Sequence, residues 1–184
     1  MRVGQALAVM VMALAASKAA AQGAGFYVGG SVGQATFREF CVEAPTVLAC
    51  DDKDTAWKLF GGYRFSPFFA LEASYVDFGK VQGTLSTGSG PRTIPLRQYG
   101  FGLAAVGSYA FTPRFSAFGK AGFLMTEQET PASASGTTLR EETEFHYGIG
   151  ARFAFAPAWS VRAEWERTEK TKVDMLSIGV EFRF

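Results

Sequence analysis

The sequence predicts an all-β fold, an eight-stranded antiparallel up-and-down transmembrane β-barrel. Three observations carry that expectation: a proline turn flanked by aromatics recurs three times, each strand has one apolar face, and the opposite face is crowded with charge.

The turns come at Pro67, Pro113 and Pro157, within Tyr63-Arg64-Phe65-Ser66-Pro67-Phe68-Phe69, Tyr109-Ala110-Phe111-Thr112-Pro113-Arg114-Phe115 and Phe153-Ala154-Phe155-Ala156-Pro157-Ala158-Trp159. Aromatics stand four and two residues before each proline and two after it. Alternate residues of a strand share a face, so Tyr63, Phe65, Phe69, Tyr109, Phe111, Phe115, Phe153, Phe155 and Trp159 are expected at one level. Phe182 and Phe184 repeat the feature at the last strand. An aromatic girdle beside short turns is what a barrel shows at a membrane interface.

From these turns the strands fall near 25–37, 55–65, 68–78, 97–111, 115–127, 143–155, 159–168 and 173–184. Longer connections are expected at 38–54, 79–96 and 128–142, with a short one at 169–172. Short turns at one end and long loops at the other match the outer-membrane pattern. One face is apolar, as in Tyr99, Phe101, Leu103, Ala105, Gly107, Tyr109 and Phe111, or Leu176, Ile178, Val180, Phe182 and Phe184. Asp77, Arg97, Glu127, Arg167 and Asp174 interrupt that face only at the long-loop end, where side chains reach water or headgroups.

The other face carries Lys58, Arg64, Glu72, Lys120, Glu144, Arg152, Arg162, Glu164, Glu166, Glu181 and Arg183. Gly100, Gly102, Ala104, Gly148, Gly150, Ser177 and Gly179 are interleaved with them. An eight-stranded barrel is only wide enough for side chains to fill. Near-balanced charges between small residues therefore predict a plugged, ion-paired interior rather than an open pore. Phe118 and Leu124 fall on this charged face, which leaves a bulge or an internal apolar contact open.

The first segment is read as a secretory signal, residues 1–21, with the barrel at 22–184. Arg2 precedes an apolar run from Ala6 to Ala16, and Ala19-Ala20-Ala21 offers a cleavage site. Cleavage removes Arg2 and Lys18 and no acid, leaving 16 basic residues against 17 acidic ones, a formal charge of −1. No basic excess points to nucleic acid. Beyond the signal, no apolar stretch approaches the roughly 18 residues a membrane helix needs. The 18 Phe and 21 Gly suit many strands joined by tight turns. Cys41 and Cys50 are expected to form a disulfide, because an exported chain meets an oxidising compartment. Their spacing fits no zinc motif, and the single histidine, His146, is distant, so neither metal nor cofactor is assigned.

On these residues the chain resembles the OmpA-type family of eight-stranded outer-membrane barrels. Leu59-Phe60-Gly61-Gly62-Tyr63-Arg64-Phe65 with Leu71-Glu72-Ala73-Ser74-Tyr75 is similar to that family's first periplasmic hairpin. Met175 to Phe184 resembles its last strand. The resemblance implies a monomeric barrel among outer-membrane lipid and lipopolysaccharide, with Glu72, Lys120, Arg152, Arg162 and Glu164 in a salt-bridged interior. It also implies that Val180, Phe182 and Phe184 form the signal read by the barrel-assembly machinery. Many members carry a peptidoglycan-binding domain as well. This sequence runs to the last strand, so that role is expected to be absent.

Catalysis finds little support. His146 lacks the His-x-Ser spacing of barrel deacylases, and Ser74 or Ser177 approaches it only if the fold brings them together. Glu164 and Glu166 alternate beside Arg162, which favours ion pairing over acid–base work. Gly29-Gly30-Ser31-Val32-Gly33 lacks the Lys-Ser/Thr of a phosphate loop. The expectation is a non-enzymatic outer-membrane protein, structural or surface-interacting. The alternatives are a narrow gated ion or small-solute channel and an adhesin-like protein. A soluble lipocalin-like carrier, with apolar side chains inside, is the inverse reading of the same strands. The surface ligand is left open by loops rich in Ser, Thr, Gly and Pro.

Overall fold

A computed structural model describes residues 24–38, 47–51, 53–87, 90–132 and 136–184. The signal segment and Cys41 lie outside the described residues, as does the side chain of Cys50. The strands are β1 (Gly25–Phe37), β2 (Val47–Asp51), β3 (Lys53–Ser66), β4 (Phe69–Thr87), β5 (Gly90–Ala110), β6 (Phe115–Ala132), β7 (Gly136–Ala154), β8 (Trp159–Thr168) and β9 (Val173–Arg183).

Every pairing is antiparallel. β1 pairs with both β3 and β9, and β4 pairs with β5, so β1 and β3–β9 close an eight-stranded ring. Closure satisfies every ladder and removes the edges that hydrocarbon does not tolerate. β2 lies outside the ring on the upper part of β4, Val47 to Leu85 and Asp51 to Gln82.

Two expected loops are strand instead. β4 and β5 stay paired from Lys80–Arg97 to Thr87–Gly90, and β6 and β7 from Gln128–Arg140 to Ala132–Gly136. The expected connections at 79–96 and 128–142 are therefore tall hairpins rising above the ring. Their Ser, Thr, Gly and Pro content reads as loop by composition, but the ladder of the strands below continues through them. A bulge marks the point where β4 leaves the ring, between Asp77–Tyr99 and Lys80–Arg97. Gly79 sits there at φ +84°, a conformation with little penalty only for glycine, and its N–H donates to Asp77 Oδ1 at 2.9 Å.

The short turns follow from the residue before each proline. Ser66 Oγ accepts from Phe69 N at 3.1 Å, and Thr112 Oγ1 accepts from Phe115 N at 2.9 Å. These hydroxyls mimic a backbone turn. Ala156 has no such group, and there the Trp159 N–H donates to the Ala156 carbonyl at 3.2 Å.

The faces divide as the alternation requires. Leu59, Phe101, Leu103, Phe123, Ile149 and Ile178 are exposed, whereas Lys58, Glu72, Lys120, Arg162 and Glu164 are buried. The inverted, carrier-like arrangement is thus overturned. Phe118 and Leu124 do point inward, without a bulge, since β6 keeps unbroken register with both neighbours.

Candidate functional site

The barrel interior is built in levels. At its centre β4, β6 and β8 bring Glu72, Lys120 and Arg162 together. Arg162 grips Glu72 with both terminal nitrogens, Nη1 to Oε2 at 2.6 Å and Nη2 to Oε1 at 3.0 Å. The Tyr27 O–H donates to the same carboxylate at 3.0 Å. Arg162 Nε donates to Glu164 Oε2 at 3.0 Å, which also receives Lys58 Nζ at 2.7 Å. Lys120 Nζ lies 2.6 Å from Glu164 Oε1 and 3.6 Å from Glu72 Oε1. Glu166 closes this cluster by pairing with both Lys58 and Lys120.

Toward the short turns a second group forms around Glu181. Arg152 Nε donates to Glu181 Oε2 at 3.0 Å, and Arg64 Nη2 stands 3.5 Å from Oε1. The two groups are joined by Arg162 Nη1, 3.7 Å from Glu181 Oε2. Five cations (Lys58, Arg64, Lys120, Arg152, Arg162) thus meet four carboxylates (Glu72, Glu164, Glu166, Glu181). Buried charges paired in this way are tolerated.

Two members of the charged face stand apart. Arg183 is exposed at the short-turn mouth and has no ion pair among the described residues. Its expected place in the network is corrected: as the last residue of β9 it has passed the level where the wall encloses it. Glu144 is buried but meets no cation among the described residues; its carboxylate accepts from the Thr171 N–H and hydroxyl, each at 3.0 Å, and so holds the 169–172 turn.

Aromatic rings complete the core: Phe118, expected on the charged face, is joined there by Tyr27 and Phe60. The Arg162 guanidinium lies between Phe118 and Phe60, 4.3 and 4.4 Å from their centroids, and Arg152 lies 5.0 Å from Phe118. Such contacts hold weakly hydrated guanidinium groups well. Space for the rings comes from glycine. A Cβ on Gly150 would sit 2.4 Å from Phe118 Cζ, and one on Gly29 2.3 Å from Phe60 Cζ. Tyr27, Phe60 and Phe118 were legible by parity alone, since each alternates with lipid-facing neighbours.

Above the charges lies an apolar plug of Ala35, Phe37, Ala56, Val76, Phe78, Leu124, Val173 and Met175. Between plug and charges is a small space with room for a single water, bordered by Lys58, Ser74, His146, Glu166 and Thr168. Ser74 does come near His146 across Gly102, whereas His146 Nδ1 has no hydrogen-bond partner among the described residues. At the upper rim Asp174 accepts from Arg167 Nε at 2.6 Å and Nη2 at 2.9 Å, and pairs with Arg38; Arg97 Nη2 meets Asp77 Oδ2 at 2.6 Å. Among the described residues no cluster of His, Cys, Asp or Glu is suited to a metal.

A model of the outer membrane protein beta-barrel domain matches residues 6–184. The chain belongs to that family. It is therefore an integral protein of the outer membrane. Among solved structures it is similar to the outer membrane protein OprG of Pseudomonas aeruginosa, at 16% identity and TM-score 0.65, covering 88% of this chain and 96% of that one. It is also similar to Neisserial surface protein A, at 15% identity and TM-score 0.62, covering 89% and 100%. A third is Ail, the attachment invasion locus protein of Yersinia pestis, solved with the heparin analogue sucrose octasulfate, at 15% identity and TM-score 0.56, covering 88% and 97%. At these identities the likeness is one of fold. No curated protein matches.

In this outer-membrane barrel the aromatics form two belts. At the short-turn level rings pack along Phe26–Tyr63–Phe65–Phe69, centroids 4.8, 4.9 and 5.8 Å apart, and along Tyr109–Phe111–Phe115, 5.1 and 5.9 Å. Trp159–Phe182–Phe184 continue that level at 4.8 and 5.0 Å, and Phe153 and Phe155 are exposed beside them. The second belt was not anticipated. Trp57–Tyr75–Tyr99 pack at 5.4 and 6.4 Å, and Phe145–Tyr147–Trp165 at 6.2 Å each. These residues have no repeated turn to announce them; only the sheet places them side by side. Two belts with aliphatic side chains between them mark both interfaces of a bilayer.

Proposed function

We propose that this chain is a non-enzymatic, monomeric surface protein of the outer membrane, which presents projecting, strand-paired hairpins to macromolecules outside the cell. The supporting observation is the extension of the hairpins. Above the bulge at Gly79, β2 stays paired with β4 and β4 with β5, and β6 stays paired with β7, the two hairpins meeting at Arg97–Glu129. β8 leaves β7 at His146–Thr168, so the stretch of β7 from Gly136 to Glu142 has an open edge among the described residues. Open backbone donors and acceptors invite an extended segment of another protein.

The closed interior supports the same reading over catalysis or steady conduction. His146 and Ser74 lie beneath the apolar plug, out of reach of a lipid substrate. Lipid and lipopolysaccharide surround the belts. Val180, Phe182 and Phe184 serve the assembly machinery at the start of this life in the membrane. Heparin-like sulfated saccharides and immobilised extracellular proteins are suitable probes, given the likeness to Ail.

The test compares cells displaying the chain with cells displaying a version whose residues 83–94 and 130–138 are replaced by short Gly-Asn turns. Equal surface levels with lost attachment to the coated surface support the proposal. Equal attachment by both versions overturns it.

A further inference from the structure

The short-turn mouth opens into a vestibule of about 630 Å³, walled by the turns at Pro67, Pro113 and Pro157. Its charge is lopsided. Arg64, Arg114, Arg152 and Arg183 line it against one carboxylate, Glu181. Glu181 is already engaged, Arg152 Nε at 3.0 Å and Arg64 Nη2 at 3.5 Å, while Arg114 and Arg183 have no ion pair among the described residues. Arg152 is further fixed against the Phe118 ring and Arg64 against Tyr27, centroids 5.0 and 5.6 Å away. Two guanidinium groups are thus held in place and two are free at the lip. Ser108, Ser116 and Ser160 add hydroxyls to the wall.

We infer that this vestibule binds a multiply charged phosphate-bearing anion from the periplasmic side, with Arg114 and Arg183 as its principal ligands and Arg64 and Arg152 as the positive floor. Guanidinium forks match phosphate oxygens in pairs, and a concave, partly desolvated wall strengthens each contact. An excess of three positive charges favours a diphosphate or longer chain over a singly charged ion. The ion-pair core closes the far side, so the vestibule is a dead end that retains a ligand rather than passing it.

The experiment titrates refolded barrel in zwitterionic detergent with inorganic phosphate, pyrophosphate and tripolyphosphate, by calorimetry. Affinity should rise with phosphate number. Arg114→Gln with Arg183→Gln should weaken pyrophosphate binding at least about tenfold, as expected when two charge-assisted contacts are lost. Glu181→Gln should tighten it, an effect that general damage to the fold does not produce. Arg167→Gln, at the opposite rim, should leave it unchanged, and a heat-modifiable gel shift verifies that each variant is folded. A parallel arm places the barrel in nanodiscs of phosphatidylglycerol or phosphatidylcholine. Competition by phosphatidylglycerol alone assigns the site to a lipid headgroup, and undiminished pyrophosphate binding in both assigns it to a free anion. Absence of pyrophosphate binding at millimolar concentration, or equal weakening by Arg167→Gln, overturns the inference.

Discussion

Replacing Glu72 by alanine removes the carboxylate on which the central level of the barrel converges. That carboxylate receives both terminal nitrogens of Arg162, the Tyr27 hydroxyl and, at 3.6 Å, Lys120 Nζ. The network holds five cations and four carboxylates, so the variant has two uncompensated positive charges instead of one. Breaking one partner of a buried pair costs about 3–5 kcal/mol, largely because the other charge stays buried. Unfolding in urea, followed in detergent micelles, should show a loss of that size. Water drawn to the stranded guanidinium should produce brief openings in planar bilayers that the parent lacks. Arg152→Ala acts in the same direction through Glu181. Thr87→Ala, at the tip of the β4–β5 hairpin, should change neither property. A double variant separates loss of pairing from loss of packing. Glu72→Leu with Arg162→Met removes both charges, leaves Glu164 with Lys58 and Lys120, and leaves Glu181 with Arg152 and Arg64. It should be markedly more stable than Glu72→Ala. If the double variant is as unstable as the single losses combined, or if the parent conducts strongly and steadily, the plugged, ion-paired interior is the wrong description.

Other perturbations probe separate parts of the molecule. Phe118→Ala removes a buried ring between Arg152 and Arg162 and should cost about 3–5 kcal/mol in the same urea assay, as large aromatic truncations do. Non-reducing mass spectrometry should find Cys41 and Cys50 linked within one chain, and rapid alkylation of both thiols in native protein would contradict that. Deleting Phe184, whose N–H donates to the Phe26 carbonyl at 3.0 Å and whose ring packs 5.0 Å from Phe182, should lower outer-membrane levels without blocking export. Unchanged levels would remove its role as an assembly signal.

What the sequence made legible was local. Alternation with period two needs only neighbouring residues, so the lipid-facing run through Phe101, Leu103 and Tyr109 and the inward run through Arg162 and Glu164 could be read directly. The three turns announced themselves because proline, a small residue and aromatics recur at fixed offsets. Partner choice in the core was not legible. Glu72 and Arg162 are separated by 90 positions and meet through strand stagger, which closure of the whole ring sets. Composition misled at Thr84 to Pro95, where a polar, proline-containing stretch continues a ladder because its partner strand holds it in register. Phe118 and Leu124 had the parity of Lys120 and needed only the inference that a charged interior also contains apolar levels.

That layering bears on conduction. The charges are bounded above by the plug of Phe37, Phe78, Leu124 and Met175, and below they meet the basic vestibule. An ion coming from outside must displace apolar side chains before any pair can separate to receive it, whereas one from the periplasm reaches Arg152 and Glu181 first. The two barriers lie in series. Opening the ion pairs alone, as in Glu72→Ala, therefore leaves the outer one standing, and conductance should remain small. Adding Leu124→Ala to that variant should raise it further, whereas Leu124→Ala by itself leaves the charge layer shut and should conduct no better than the parent.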